Sequence, residues 1–324
     1  MHRSFRIVPL LIVCIVLANA GLQQSAAETP DSQRTISTYG VIRAGAGMTV
    51  GTDFWSGTTP TDFQRRDMPL IRESGIQMLR LEFNSGSVPN LRTLVPAVTS
   101  NGIKVLGLLL RVDLTPNGAI EYGSWVYSVV SEFKNNVHVW EIMNEPNLDK
   151  FFSGKDPAKY TEFLKQGYTQ AKRADPTCTV LGGSVVFTHQ SGQNFVKAIY
   201  TNGGKDYMDA LSFHPYCDPY APNDTSSTPN PYVYLTKIRD IMVQNGDSNK
   251  KIWITEVGWS SDDVGEANQA LYIGQALTMA LNWGFIDTYI HFCWHGGTGD
   301  KGLVSANFQP KPAFYTVKDF TASL

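Results

Sequence analysis

From about residue 40 onward the chain alternates between two patterns. Short, nearly continuous apolar runs give way to longer stretches in which apolar residues recur every three or four positions, and these lead to the next run. The runs are "GMTV" at 47–50, "IQMLRLEF" at 76–83, "IKVLGLLL" at 103–110, "VHVWEIM" at 137–143, "TVLGGSVV" at 179–186, "ALSFHPY" at 210–216, "KIWITEVGW" at 251–259 and "TYIHFCW" at 288–294. Runs of this kind suit parallel strands covered on both faces. Between them, Asp156 before Pro157 gives a cap residue followed by a proline at the first helical position. Tyr160, Phe163, Leu164, Gly167, Tyr168 and Ala171 then share one helical face. Residues 266–282 repeat the pattern through Ala270, Ile273, Leu277, Ala280 and Leu281, with Gly284 placed to cap the C-terminus. Weaker helical patterns fall near 61–74, 90–101, 119–134, 192–202, 231–244 and 311–320. Eight strands alternating with eight helices predict an α/β chain folded as a single-domain (β/α)8 TIM barrel over residues 39–324. An open doubly wound sheet is the competing arrangement, but "GAGMTVG" lacks the GxGxxG spacing and opens no helix.

A barrel of this kind gathers its chemistry at the C-terminal ends of its strands. Polar residues concentrate there: Arg80, Glu82 and Asn84 on the second run, Arg111 and Asp113 on the third, and Glu141, Asn144 and Glu145 on the fourth. His189 follows the fifth, His214 and Tyr216 end the sixth, Glu256 lies in the seventh, and His291, Trp294 and His295 follow the eighth. Glu145 in "WEIMNEPN" and Glu256 in "WITEVGW" stand out, because burying an unpaired carboxylate is costly. Two carboxylates facing one pocket split their proton affinities, which suits chemistry that needs one acid and one charged carboxylate; glycoside hydrolysis is the leading case.

"NEP" after the fourth run and "TE.GW" on the seventh, in that order and about 110 residues apart, resemble glycoside hydrolase clan A. The resemblance spans residues 40–320 and is nearest to family 39, then to family 5 cellulases. It implies a retaining hydrolase with Glu145 as acid/base and Glu256 as nucleophile. It further implies that Asn144 donates to the sugar 2-hydroxyl, that Arg80 keeps the nucleophile charged, and that Tyr216 hydrogen-bonds it beside His214. Trp294 would be the platform under the reacting sugar. Glu141 is expected to balance Arg80 inside the barrel, and Trp55 and Trp259 are candidates for outer platforms. The chain lacks room for the accessory β-sandwich of family 39 xylosidases, so an open cleft and endo action on a β-linked polysaccharide such as xylan, glucan or exopolysaccharide are expected. Exo action, as in a β-xylosidase, and a sugar-binding barrel without catalysis remain the alternatives.

Composition narrows the partners. A net charge of −2 gives no footprint for nucleic acid or an anionic membrane. No cofactor is implied, and no metal site, since HxH after the first strand and CxxC spacing are both absent. "MHRSFR" followed by "IVPLLIVCIVLANA" reads as a secretory signal over residues 1–20, and 21–38 as a flexible leader. The mature protein is therefore expected to be secreted, unanchored and monomeric. Cys178, Cys217 and Cys293 are expected to be free thiols.

Overall fold

In the computed structural model, the eight apolar runs are eight parallel strands: β1 (Thr49–Asp53), β2 (Met78–Phe83), β3 (Lys104–Leu109), β4 (Val139–Ile142), β5 (Thr179–Val186), β6 (Ala210–His214), β7 (Ile252–Val257) and β8 (Ile286–His291). Each pairs with the next, and β8 returns to β1 through Val50 opposite Tyr289, closing the barrel. The structure describes residues 47–186, 190–226, 230–296 and 299–324. The expected signal, the leader and His189 lie outside the described residues.

Each strand is followed by a helix: α1 (Met68–Ser74), α2 (Val88–Thr99), α3 (Ala119–Phe133), α4 (Pro157–Ala174), α5 (Gln190–Thr201), α6 (Leu235–Gln244), α7 (Glu266–Trp283) and α8 (Pro312–Thr321). Local chemistry sets their ends. The Asp156 carboxylate accepts from the Ala158 and Lys159 amides and starts α4. Gly284, at φ 68°, closes α7 with its N–H on the Leu281 carbonyl, a left-handed cap that favours glycine. None of the described helices is long and apolar enough to cross a membrane.

The barrel interior is layered. Met78, Leu106, Leu181, Ala210, Trp253 and Ile290, from six strands, form a buried cluster of their own, with Val139 packed against it. Two positions further along three of these strands, and two past Val139 on β4, the inward residues become polar: Arg80, Glu141, Ser212 and Thr255 are all buried. An apolar floor thus carries a polar layer at the end where the strands open into their loops. The larger core, between barrel and helices, holds Trp140 and Ile142 of the "WEIMNEPN" stretch. Cys178, Cys217 and Cys293 are buried free thiols.

Candidate active site

The polar layer is organised around Arg80. Its Nε donates to Glu141 Oε2 at 2.8 Å, and its Nη2 to Asn144 Oδ1 at 2.8 Å. Its Nη1 is shared between Asp53 Oδ2 at 2.9 Å and Glu256 Oε1 at 2.5 Å. One guanidinium therefore spans β1, β2, β4 and β7, a geometry that a planar fork of donors allows and an ammonium does not. Glu141 also accepts from Thr255 Oγ1 at 2.7 Å, so it serves as the buried counter-charge expected of it while Arg80 still holds Glu256.

Glu256 and its neighbour Thr255 both reach inward. Strict alternation would send them to opposite faces. The register between β7 and β8 shifts between Ile254 and Val257, and that irregularity turns both toward the axis. Glu145 is placed by a different local device. Met143 (φ 61°) and Glu145 (φ 39°) adopt left-handed backbone just past β4, and Gly183 and Ser184 do the same within β5. The Glu145 N–H donates to the Ser184 carbonyl at 2.9 Å, and the Ser184 N–H donates to Ser212 Oγ at 2.8 Å. Backbone of this kind costs about 1–3 kcal/mol per non-glycine residue, and it clusters where geometry must be fixed.

His214 links the two glutamates. Its Nδ1 is 2.9 Å from Glu145 Oε1 and 3.8 Å from Glu256 Oε2, and its Nε2 is 3.1 Å from Thr255 Oγ1. A proton inventory fixes the tautomer. Thr255 gives its single hydroxyl proton to Glu141, so its oxygen accepts from His214 Nε2–H. The contact between Nδ1 and Glu145 then holds one proton shared by that pair. Tyr216 donates to Glu256 Oε2 at 2.9 Å.

These contacts set the charges. Burial alone would raise the Glu256 carboxyl, but the His214 and Arg80 charges, with hydrogen bonds from Tyr216 and Arg80, hold it below the usual carboxylate range. Burial alone would lower His214; the Glu256 charge and the bond to Glu145 outweigh it and favour imidazolium. Asp53 goes the other way. Burial pushes it up to about 7; Arg80 opposes the rise, and the Glu256 and Glu82 charges add to it. A raised acid stabilises the fold at low pH and loses that contribution as pH climbs through its folded value. The Tm of Asp53→Asn is therefore expected to rise relative to the native protein between about pH 4 and pH 7. A Tm difference that stays flat over this range in thermal melts would show that Asp53 titrates normally.

Among the described residues, Glu145, His214 and Glu256 are also the one cluster suited to a metal, each offering a donor atom within 4.8 Å of the others. The Arg80 guanidinium on Glu256, and the imidazolium favoured at His214, bring positive charge to this cluster.

All of this opens into a cleft of about 800 Å³ lined by Asp53, Arg80, Glu82, Asn144, Glu145, Tyr216, Glu256 and Phe292, with Trp55, Lys150, Phe151 and Lys301 among its outer residues. Of the residues singled out in the sequence, Arg80, Asn144, Glu145, His214, Tyr216 and Glu256 converge here. Trp294 does not. Its indole is buried, with Nε1 donating to Asp67 Oδ1 at 3.0 Å and the ring against Phe314. β8 ends at His291, so alternation cannot be carried on to residue 294. The aromatic that faces the cleft there is Phe292, edge-on to Tyr216 with ring centroids 6.3 Å apart. Trp259 is likewise core, fully buried with Nε1 on the Tyr220 carbonyl. Asp113 pairs with Arg111, and His295 stacks on Phe308; neither lines the cleft. Asp53 escaped notice in the sequence, although it stands opposite Arg80 in the β1–β2 register.

No family model matches the chain. Solved structures share its fold at low identity. A family 39 glycoside hydrolase from the gut symbiont Bacteroides cellulosilyticus WH2 superposes with a TM-score of 0.66 at 21% identity, over 84% of this chain and 63% of its own. The GH39 enzyme from Xanthomonas axonopodis pv. citri gives 0.66 at 18%, over 85% of this chain and 66% of its own. A monomeric beta-xylosidase from Caulobacter crescentus CB15 gives 0.59 at 15%, over 84% and 66%. The chain thus spans just under two thirds of the length of each of these structures, and the likeness establishes a common barrel fold.

Proposed function

We propose that this protein is a retaining β-glycoside hydrolase acting on a β-linked polysaccharide or oligosaccharide. One observation carries the reading: Glu145 and Glu256 bring carboxylate oxygens within 4.8 Å of each other, in unlike surroundings. Retaining enzymes hold the two groups about 5–5.5 Å apart, whereas inverting ones leave about 6.5–9.5 Å for a water. Glu256, kept charged by Arg80, His214 and Tyr216, attacks the anomeric carbon. Glu145 passes the proton it shares with His214 to the leaving oxygen as the glycosidic bond breaks. Glu145 then takes a proton from water, whose oxygen attacks the same carbon, releases Glu256 and returns the original configuration. The glycoside hydrolases among the structural neighbours support this class, and the open cleft favours endo action. The basic and apolar N-terminal segment favours action outside the cell.

Glu145→Ala separates acid catalysis from the rest. A substrate whose leaving group needs no proton, such as a dinitrophenyl glycoside, is expected to form the covalent intermediate almost normally. Turnover of an ordinary oligosaccharide is expected to fall by about 10²–10⁴-fold. Equal losses on both would remove Glu145 from the role. Proton NMR of the first product should show the β anomer; an α anomer would exclude retention. Activity that EDTA abolishes would favour a metal at Glu145, His214 and Glu256 instead.

A further inference from the structure

The residue at the cleft least explained by this chemistry is Trp55. It is 76% exposed and is the one exposed tryptophan among the described residues. The turn beneath it is heavily pinned. The Thr58 N–H donates to the Trp55 carbonyl at 3.1 Å, closing the turn. Asn90 Nδ2, from α2, donates to the Ser56 carbonyl at 2.6 Å and the Thr58 carbonyl at 3.0 Å. Ser56 Oγ accepts from the Glu82 N–H at 2.8 Å, tying the turn to β2. Phe54, Ser56 and Thr58 are all buried around the exposed indole. Gly57 completes the arrangement: a Cβ there would stand 2.5 Å from the Trp55 ring, so only glycine lets the indole lie over the backbone. One ring face is seated on the chain, while the residue as a whole stays open at the edge of the cleft.

We infer that Trp55 is a preformed platform for a second sugar ring, one that binds a pyranose of the substrate chain outside the reaction subsite. This rests on the hydrolase reading above. The occupant follows from continuity and shape. Trp55 lines the same cleft as Glu145 and Glu256. Its Cα lies at most about 7 Å from that of Asp53, two residues earlier, whose carboxylate shares Arg80 with Glu256. A β-linked pyranose offers a flat face of C–H groups that an aromatic face can cover, while its hydroxyls stay in water. Phe151, after β4, is a second aromatic on the cleft wall, three strands around the barrel from β1. A chain lying along the cleft would meet aromatic rings from the segments after both β1 and β4.

The test compares substrates by length. Native protein and Trp55→Ala are assayed on 4-nitrophenyl β-glycosides of glucose, xylose and mannose, and on cello-, xylo- and mannohexaose. For the accepted sugar, the variant is expected to raise KM on the hexamer by about tenfold, with kcat and the nitrophenyl KM unchanged. Trp55→Tyr should recover most of the loss. In the Glu256→Gln background, that hexamer should change tryptophan fluorescence, and Trp55→Phe should remove the change. No KM effect, or an equal effect on long and short substrates, overturns the platform while the hydrolase reading stands. A native protein that elutes as a dimer, with Trp55→Ala eluting as a monomer, would assign the surface to self-association and overturn it also. If no substrate is cleaved and no hexamer alters the fluorescence, the hydrolase reading fails and the platform falls with it.

Discussion

Glu256→Ala is expected to lower kcat on any accepted glycoside by roughly 10⁴-fold or more while leaving the protein folded. Both halves of that expectation come from the same contacts. On the proposed mechanism the attack belongs to this carboxylate, and its neighbour Asp53, pushed up to about 7, is a poor substitute for it. Its removal leaves Arg80 with three partners, Glu141, Asp53 and Asn144, and no buried cation is orphaned. Asp53 loses a like charge nearby and gains a larger share of Nη1, so its carboxyl should titrate closer to the ordinary range. A Tm equal to or above the native value is therefore expected, as is common when a strained or crowded site is simplified. Added formate should occupy the space left and restore part of the turnover of an activated aryl glycoside, because a carboxylate is again present to attack. Undiminished kcat in the variant would remove Glu256 from the chemistry altogether.

Arg80→Met is expected to do the reverse and damage the fold as well as the reaction. Methionine preserves bulk but leaves Glu141, with no exposed surface, facing Thr255 alone. Breaking a buried pair by removing one partner costs about 3–5 kcal/mol. Thermal melts should show a fall of about 10 °C or more. Glu256 would lose its strongest hydrogen-bond donor and part of the charge that offsets its burial, so activity should fall too. Arg80→Lys restores the charge but not the fork, and should recover stability only in part. The double variant Arg80→Met with Glu141→Gln separates the two effects: stability should return substantially, because the orphaned charge is gone, and activity should not. A single Arg80→Met variant as stable as the native protein would mean that Glu141 is not the dependent charge its contacts describe.

How much of this was legible beforehand depended on whether a residue's place followed from local pattern. The strands were, because each had to be apolar on both faces, and the polar clusters at their ends marked one rim of the barrel. Glu145 and Glu256 stood out as carboxylates in otherwise apolar stretches. Asp53 did not, because "GTDF" resembles any strand end; its meaning comes from the lateral register that sets it opposite Arg80. Trp294 was set at the cleft by the resemblance alone; past His291, where the strand stops, Phe292 takes the cleft and Trp294 the core. The same alternation would have separated Thr255 from Glu256, had the register shift in β7 not turned both inward. Local pattern identified the elements, and the breaks in that pattern set the site.

The apolar floor beneath the polar layer has a kinetic consequence. Met78, Leu106, Leu181, Ala210, Trp253 and Ile290 close the barrel below Arg80 and Glu141, so the catalytic pair communicates with solvent through the mouth of the cleft. Water and departing product must then pass the same opening. On the proposed mechanism, a released fragment that lingers there keeps water from the glycosyl ester, and a second saccharide arriving first becomes the acceptor. At high substrate concentration the vessel-like shape therefore favours transglycosylation, and longer chains should accumulate beside the shorter ones.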